Sequence, residues 1–401
     1  MWNIIRADEF CESVRDGTHD TPKPVEDGFK LVTSKHILNG RVYPEDAYCI
    51  SEKDFKKINE RSKVDKWDVL MSMIGNGLGK SAIIDYTPDF AIKNIALFKI
   101  GNEAKAKWLH YFLSSNYAQN VILNYLQGTG QPFLSLNLIR GFKIWNPPNT
   151  ILEKIVKILS CYDEAIENNN KRIKLLEQMA QNLYKEWFVR FRFPGYENCE
   201  FENGIPVGWN VERIGELYHT TSGGTPSRNH EEYYQEGTYP WIKTGELKDY
   251  PIIETEEYIT EDAIIHSSAK VFEKDSLIIA MYGATIGHLG INKMPATCNQ
   301  ACCVLRPKEN RAFGIYYLFN FFKGNRDFII GLGNGAAQQN LSQILINRIK
   351  ILNPPKEVLE PFEKMQSVFF EKIYFLQRAN KNLAKQRDLL LPKLMSGKIE
   401  V

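Results

Sequence analysis

The sequence contains two Asn-Pro-Pro triplets, Asn146–Pro148 and Asn353–Pro355, whose residue types could bind an amine. In amino-methyltransferases a loop of this kind holds the target amine of a flipped base, and a following aromatic ring stacks on that base. Here Asn149 and Lys356 stand in the aromatic position, and no glycine-rich strand–turn–helix for a methyl donor precedes either triplet. Proline at the start of a long helix explains both triplets without chemistry.

A glycine-rich segment, Gly75–Ser81, resembles a phosphate-binding P-loop. That motif needs four residues between its first Gly and the Gly-Lys pair, and the spacing here is one residue short. The matching segment Gly283–Leu289 has no Lys in the equivalent place. We therefore expect no nucleotide hydrolysis, and we interpret the segment as a turn whose backbone could approach a DNA phosphate.

Two other groups of reactive residues have simpler interpretations. The segment Pro88–Lys93 lacks the second carboxylate of a nuclease motif and is predicted to form a strand with its turn. Cys298, Cys302 and Cys303 have no second Cys/His pair at zinc spacing, so we predict buried thiols in a strand. The sequence thus predicts no catalytic site, no metal and no cofactor.

The composition bounds the class of protein. A chain of 401 residues with 43% apolar and 24% charged residues is expected to form two or more globular domains. A net charge of +2 does not by itself indicate nucleic-acid binding. We expect neither a signal peptide nor a membrane segment. Seven scattered cysteines favour a reducing compartment, so we expect a cytoplasmic protein.

The chain is predicted to contain two copies of one unit of about 200 residues. Ile144–Asn149 recurs as Ile351–Lys356, and Asp68–Ile83 matches Asp275–Ile291 with one inserted residue. Further matches in the same order are Thr129–Ile144 with Ala336–Ile351, Asp16–Pro22 with Ser222–Ser227, and Leu31–Gly40 with Trp241–Asp249. Several matches in one order make chance an unsatisfactory explanation.

Each copy begins with short apolar runs broken by Gly, Pro and Asn, which indicate strands, and ends in a long heptad helix. Polar Asn169 and Asn380 lie on the two helical seams and could fix the register of a helix pair. The first predicted seam is Ile155, Ile158, Tyr162, Ile166, Asn169, Ile173, Leu176, Ala180, Leu183 and Trp187. The second is Phe362, Met365, Phe369, Ile373, Leu376, Asn380, Leu383, Arg387, Leu390 and Leu394.

These patterns predict an α+β fold in which two similar globular domains are separated by an antiparallel pair of long coiled-coil helices, with a pseudo-twofold internal repeat. A short linker, Arg190–Trp209, leads from the first helix to the second domain, and Met1 and Val401 should both lie near the first domain. The predicted boundaries are 1–150 for the first domain, 151–190 for the central helix, 191–355 for the second domain, and 356–401 for the distal helix and tail.

Four features together resemble the specificity subunits of type I restriction–modification systems. They are the tandem unit, GTHDTP or GGTPS near each start, a Q-x-x-LS block before a heptad helix, and the endings Leu183–Phe191 and Leu389–Gly397. The resemblance covers essentially the whole chain. The second copy departs from GTHDTP because Thr225 and Pro226 follow Gly224, so the two copies should read different bases.

The resemblance implies two target-recognition domains, each reading one half of a bipartite asymmetric site in double-stranded DNA. It implies that the helices set the spacing and dock two methyltransferase subunits, and through them the restriction subunits. The chain would then direct both methylation and restriction as a non-catalytic part of a complex with DNA adenine methyltransferase and ATP-dependent endonuclease activity.

Polar loop residues are the candidates for DNA contact, because base edges need donors and acceptors and phosphates need cations or backbone N–H groups. In the first copy they are Thr18, His19, Thr21, Lys35, His36, Asn76, Lys80 and Gln131. In the second copy they are Thr225, Ser227, Arg228, Lys243, Thr244, Tyr282, Thr285, Gln338, Gln339 and Asn340.

Two alternative functions remain open at this point. A stand-alone DNA methyltransferase or nuclease would need a cofactor or catalytic motif, which the sequence does not display. A coiled-coil adaptor without nucleic acid would have bland loops, whereas these loops combine Lys, Arg, Asn, Gln and His.

Overall fold

The computed structural model describes residues 2–125, 133–308, 314–333 and 340–401. Unit 1 contains the residues up to Ala165 together with Leu383–Val401, and unit 2 contains Ile166–Asn382. The two long helices therefore each contribute to both units. No helix in the described ranges is long and apolar enough to cross a membrane.

The described part of unit 1 is built from short strands and six helices. The strands are β1 (Asn3–Arg6), β2 (Ser13–Asp16), β3 (Phe29–Val32), β4 (Ile37–Leu38), β5 (Arg41–Val42), β6 (Cys49–Ile50), β7 (Val69–Ser72), β8 (Ser81–Ile83), β9 (Ala91–Ile92), β10 (Ile95–Lys99) and β11 (Lys143–Asn146). The helices are α1 (Ala7–Phe10), α2 (Glu52–Ser62), α3 (Glu103–Ser114), α4 (Asn116–Asn124), α5 (Leu136–Arg140) and α6 (Asn149–Tyr184), the last continuing into unit 2.

The main sheet of unit 1 has the order β2-β10-β7-β8, and all its pairs are antiparallel. Beside it β3 pairs in parallel with β9, and β1 pairs with β11. Every residue of β7 and residues Ile95–Phe98 of β10 are buried, because both faces of the sheet are covered. This burial explains why both strands read as continuous apolar runs rather than alternating ones.

Among its described residues, unit 2 repeats most of these elements, has no counterpart of the β4–β5 hairpin, and adds one hairpin and one strand. Its strands are β12 (Phe201–Glu202), β13 (Ile205–Pro206), β14 (Asn210–Arg213), β15 (Tyr218–Ser222), β16 (Tyr239–Ile242), β17 (Tyr250–Ile252), β18 (Glu257–Ile259), β19 (Leu277–Ala280), β20 (Leu289–Asn292), β21 (Thr297–Cys298), β22 (Cys302–Pro307) and β23 (Lys350–Asn353). Its helices are α7 (Ile214–Leu217), α8 (Glu261–Ile265), α9 (Ile315–Gly324), α10 (Arg326–Gly331), α11 (Gln343–Arg348) and α12 (Lys356–Met395), the last continuing into unit 1.

The main sheet of unit 2 has the order β15-β22-β19-β20-β17. Its first four strands correspond to β2-β10-β7-β8, the parallel pair of β16 with β21 corresponds to β3 with β9, and β14 with β23 corresponds to β1 with β11. The internal repeat predicted from the sequence is therefore confirmed at the level of strand pairing.

Both Asn-Pro-Pro triplets lead directly into the long helices. The carbonyl of Pro148 accepts hydrogen bonds from the amides of Ile151 and Leu152, both at 2.9 Å. The carbonyl of Pro355 accepts in the same way from Val358 and Leu359, both at 3.1 Å. The interpretation of these prolines as helix starters is confirmed.

Within unit 2 the two helical segments run antiparallel. The Nδ2 of Asn169 donates to Asn380 at 2.9 Å, and the Nδ2 of Asn380 donates to Asn170 at 2.8 Å. Further along, the Nε2 of Gln366 donates to the carbonyl of Ala180 at 2.9 Å. From one contact to the next the residue number rises along α6 and falls along α12, so the segments are antiparallel, as predicted. The predicted asparagine pair lies on the seam between them.

The predicted seam was wrong at Met365. Met365 is 42% exposed, whereas the neighbouring Gln366 is fully buried and makes the contact with α6. A heptad pattern counts apolar residues, so it does not detect a polar side chain whose hydrogen bonds are satisfied inside the seam.

In unit 1 the ends of the chain complete one core. Leu391, Leu394 and Met395 lie in the same buried cluster as β7, β10 and α3, and Trp2 and Val401 pack against it. A Cβ built on Gly397 would lie 3.0 Å from the Trp2 ring. The prediction that Val401 lies near the first domain is confirmed, whereas Met1 lies outside the described residues.

The carboxylate of Glu363, a partly buried residue, attaches α9 to α12 in unit 2. Glu363 accepts the backbone N–H groups of Tyr316 at 3.2 Å and Tyr317 at 2.6 Å, at the start of α9. Burial raises the pKa of Glu363 to about 7. The folded chain thus holds this proton more tightly than the unfolded chain does. The resulting stability is fully present below the ordinary carboxyl pKa and is lost as the pH rises through about 7.

We expect the variant Glu363→Gln to lose this part of the pH dependence, because a neutral amide has no proton to release. Urea denaturation at a series of pH values should show that the free energy of unfolding of the wild type falls more steeply between about pH 5 and pH 7.5 than that of the variant. Parallel pH profiles would show that Glu363 does not titrate in this range.

Candidate nucleic-acid interface

In unit 1 a cleft of about 400 Å³ opens between three loops. One is the turn around Thr33–Leu38, the second is the β7–β8 turn around Ile74–Lys80, and the third is Lys93–Asn94 between β9 and β10. Among the described residues that line the cleft, three are lysines (Lys35, Lys80 and Lys93) and none is acidic. The cleft therefore presents positive charge without a compensating carboxylate on its wall.

The P-loop-like segment is the tight turn between β7 and β8. Gly75 and Gly79 adopt φ values of +72° and +79°, which an L side chain rarely adopts. The amide of Gly79 donates to the carbonyl of Ser72 at 3.0 Å and closes the hairpin. The turn brings exposed Lys80 to the cleft, whereas the side chain of Asn76 lies outside what the structure describes.

The loop after β2 reaches the same cleft through the Lys93–Asn94 turn. Thr18 forms a β-bridge with Lys93, and the Nζ of Lys93 donates to the hydroxyl of Thr21. The Nδ1 of His19 lies 2.8 Å from the Oδ1 of Asn94. Five predicted residues, Thr18, His19, Thr21, Lys35 and Lys80, thus gather around one cleft.

The structure places His36 in the interior instead. Its Nδ1 accepts the backbone N–H of Thr33 at 2.9 Å and so closes the short helical turn Ser34–His36. Burial lowers the pKa of His36, which favours the neutral ring. Because the ring is buried and holds the turn together, we do not include His36 in the proposed contact surface.

In unit 2 the equivalent turn is Thr244–Glu246, where the carboxylate of Glu246 accepts the backbone N–H of Lys243 at 2.6 Å. Glu246 therefore has the role that His36 has in unit 1. Thr244 is the first residue of this turn. In a separate turn, the hydroxyl of Ser227 accepts a hydrogen bond from the amide of Asn229 at 3.3 Å. Ser227 thus stabilises its own turn.

The predicted cations of unit 2 are ion-paired. The Nζ of Lys243 lies 2.9 Å from carboxylate oxygens of both Glu256 and Glu257. The Nη2 of Arg228 lies 2.7 Å from Glu257, and its guanidinium lies 4.1 Å from the centre of the Tyr234 ring. The hydrogen bonds that the Lys243 ammonium donates to Glu256 and Glu257 raise the pKa of Lys243. This surface therefore presents less unbalanced positive charge than the cleft of unit 1.

The remaining candidates of unit 2 surround the β19–β20 turn. Tyr282 forms a β-bridge with Asn340, as Ile74 does with Phe133 in unit 1. The carbonyl of Thr285 accepts the amide of His288 at 2.9 Å within the turn. Tyr282 and Asn340 are exposed. Gln131, Gln338 and Gln339 lie outside the described residues.

Sequence reasoning missed Lys93, Asn94 and Gln300. Lys93 and Asn94 line the cleft, and Gln300 accepts the hydroxyl of Thr225 in unit 2. The signal was present in the repeat: the segment between β9 and β10 and the segment between β21 and β22 both contain polar turn residues, which the comparison of motifs did not align.

The cysteine cluster is buried in strands, as predicted. Cys298 lies in β21, and Cys302 and Cys303 lie in β22. The hydrogen bond with Cys302 and burial both raise the pKa of Cys298, so its thiol is held protonated. In the ranges that the structure describes, no group of three or more His, Cys, Asp or Glu residues could hold a metal ion.

A family model described as the type I restriction modification DNA specificity domain matches the chain twice, at residues 1–178 and 206–384. The chain belongs to this family. The resemblance drawn from the sequence is therefore confirmed, and the two matched segments follow the two copies of the repeat. Each matched segment of this specificity chain contains one complete set of the loops described above.

Its relatives include two type I restriction enzyme specificity subunits. The MjaIX subunit of Methanocaldococcus jannaschii is 27% identical over 304 residues, which cover 74% of this chain and 69% of the relative. The HindI subunit of Haemophilus influenzae is 24% identical over 407 residues, which cover 84% of this chain and 88% of the relative. The crystal structure of a type I S subunit from M. genitalium has the same fold, with a TM-score of 0.60 and 16% sequence identity. The match covers 98% of this chain and 96% of that subunit. The predicted α+β fold with two similar units is confirmed.

Proposed function

We propose that this specificity chain reads a bipartite asymmetric site in double-stranded DNA, one half with each unit. The observation that carries the proposal is that both units build a polar surface from the same loops, but with different side chains. Equivalent positions hold His19 in unit 1 and Thr225 in unit 2. Two readers of one fold with different polar groups suit a site whose halves differ.

Affinity in this proposal comes mainly from phosphate contacts, and unit 1 contributes the larger share. Within the described chain, neither Lys35 nor Lys80 has a carboxylate partner, so both are available to a phosphate. Arg228 and Lys243 of unit 2 are held by Glu256 and Glu257 and would have to exchange partners to bind one. Cations that are already paired gain less from a phosphate.

We further propose that the long helices dock two methyltransferase subunits, and the restriction subunits through them. The chain would direct methylation and restriction without a catalytic site or cofactor of its own, in the cytoplasm where DNA is available. Exposed apolar side chains on both helices support docking, among them Leu175 and Met179 on α6 and Phe375 on α12. The domain boundaries 1–150, 151–190, 191–355 and 356–401 remain part of this proposal.

Duplex binding as a function of salt tests the proposal. The chain, co-purified with its methyltransferase, should bind a duplex carrying its site, and affinity should fall as salt rises. Replacing both Lys35 and Lys80 with Ala should weaken binding to all sequences alike and reduce the salt slope by about 1 per lysine. The control is Lys56→Ala, because Lys56 pairs with Glu52 on α2, outside the cleft.

Each rival function predicts a different result. A coiled-coil adaptor predicts no salt-dependent binding by the wild-type complex, and that result would refute the proposal. A stand-alone methyltransferase predicts that the isolated chain binds a methyl donor. An unchanged salt slope in the double variant would remove the two lysines from the interface.

A further inference from the structure

In each unit a glycine, Gly17 or Gly223, allows the loop after β2 or β15 to pack closely against the turn that follows β9 or β21. A Cβ on Gly17 would lie 2.3 Å from the carbonyl oxygen of Ile92, and a Cβ on Gly223 would lie 2.2 Å from that of Cys298. Real Cβ atoms do not approach so closely, so only glycine allows these contacts. The residues that follow each glycine are thereby held against the β9–β10 turn in unit 1 and the β21–β22 turn in unit 2.

Backbone hydrogen bonds define which residues correspond in these turns. The amides of Thr18 and Gly224 donate to Ile92 and Cys298, at 3.0 and 2.9 Å. The amide of Lys93 donates to Val32 at 2.9 Å, and the amide of Asn299 donates to Ile242 at 3.0 Å. Lys93 therefore corresponds to Asn299. On the other side of the turn the amides of Gly17 and Gly223 donate to Ile95 and Cys302, at 2.9 and 3.2 Å, so the turn of unit 2 is one residue longer and contains Gln300 where unit 1 has Asn94.

Each unit thus carries a side-chain amide in the same turn, and a residue of the glycine loop contacts it. In unit 1 the ring of His19 contacts the amide of Asn94 at 2.8 Å and the carboxylate of Asp16 at 3.0 Å. In unit 2 the hydroxyl of Thr225 donates to the Oε1 of Gln300. The contacting residue differs between the units, but both turns contain a side-chain amide that is contacted from the glycine loop.

Asn94 also has a special backbone conformation. Its φ of +54° lies in the left-handed region, where most side chains are unfavourable and asparagine is tolerated. The side chain lines the positively charged cleft and is half-buried, and Gln300 is exposed in its own unit. Neither amide is needed to fill a core, so packing does not explain why both units place one here.

We propose that Asn94 and Gln300 determine specificity, and that each reads one adenine that stays stacked in its own half-site. An amide can donate to adenine N7 and accept from adenine N6, which is a bidentate contact in the major groove. The amide oxygen has two lone pairs and the nitrogen two N–H groups. After the contact of the amide oxygen with His19 or Thr225, one acceptor lone pair and both N–H donors still remain, with the orientation of the amide fixed. This inference rests on the proposed function, since it names the base that each unit reads.

The test uses the chain in complex with its methyltransferase and determines the methylated motif genome-wide. The wild-type motif should contain an adenine in each half. Asn94→Ala should lower the preference for one adenine by about 5–100-fold in one half only, the range for a lost bidentate contact. Asn94→Asp should shift that position towards cytosine, because a carboxylate accepts from the cytosine amino group and cannot donate to adenine N7.

Gln300→Ala and Gln300→Glu provide the matched pair and should act on the other half alone. An Asn94→Ala or Gln300→Ala complex that keeps wild-type selectivity overturns the inference. So does a loss of affinity that is equal for all sequences with a smaller salt slope, because that result identifies a phosphate contact. Asn94→Asp and Gln300→Glu preserve side-chain size, so a loss of soluble complex in the alanine variants leaves the change of base preference measurable. If the wild-type complex produces no bipartite motif, the proposed function fails instead.

Discussion

Replacing Phe362 with alanine should lower the free energy of unfolding by about 3–5 kcal/mol, the usual cost of removing a buried phenylalanine. Phe362 on α12 is fully buried in the core of unit 2. Its ring centre lies 4.7 Å from that of Phe188 and 5.7 Å from that of Trp187, both in the helical turn Lys185–Val189 that follows α6. The substitution therefore leaves a cavity between the two helices and the sheet, and urea denaturation of the variant measures the loss.

Phe375→Ala is the matched control. Phe375 lies on the same helix, but its side chain is 60% exposed, so its removal should change the free energy of unfolding by no more than about 0.5 kcal/mol. Similar losses in the two variants would mean that the aromatic cluster around Phe362 does not stabilise unit 2 in the way described.

Exchanging residues 1–150 for the equivalent part of another specificity subunit should replace one half of the methylated sequence completely and leave the other half unchanged. In the described ranges, every strand of unit 1 pairs within unit 1, and every strand of unit 2 pairs within unit 2. No β-sheet is therefore shared between the units in these ranges, which supports the proposal that each unit reads its half-site independently. Methylome sequencing of the chimaera measures the outcome directly.

The reciprocal exchange, of residues 210–353, is the control and should change only the other half. A chimaera in which both halves change, or neither half changes in an active complex, would show that the two units do not read DNA independently.

Much of the fold followed from the sequence because its signals are local or repeated. Strands β10 and β22 are apolar runs bounded by turn residues, and both are buried on two faces. Asn169 and Asn380 interrupt two apolar seams, and they form a hydrogen bond at 2.9 Å. A polar residue inside an apolar seam needs a partner, so its presence on both helices already favoured pairing.

The site was harder to predict because it depends on contacts between residues far apart in the sequence. His36 is a residue type that often contacts DNA, but its ring closes a turn and is buried. Glu257 neutralises both Arg228 and Lys243, although nothing in their local sequence indicates a shared partner. Apolar Met365 is exposed and polar Gln366 is buried, the reverse of what their polarity predicts. The buried amide of Gln366 is satisfied by its hydrogen bond to the Ala180 carbonyl.

The division of the chain also has a consequence for its synthesis. Unit 2 is one continuous stretch, Ile166–Asn382, whereas the core of unit 1 takes Leu391, Leu394 and Met395 from the far end of the chain. The ribosome supplies residues in order, so the unit whose first residues emerge earliest is the last to obtain its full core. A ribosome that stops near residue 383 would therefore release a chain with every residue of the later unit, but with an unfinished apolar surface on the earlier one.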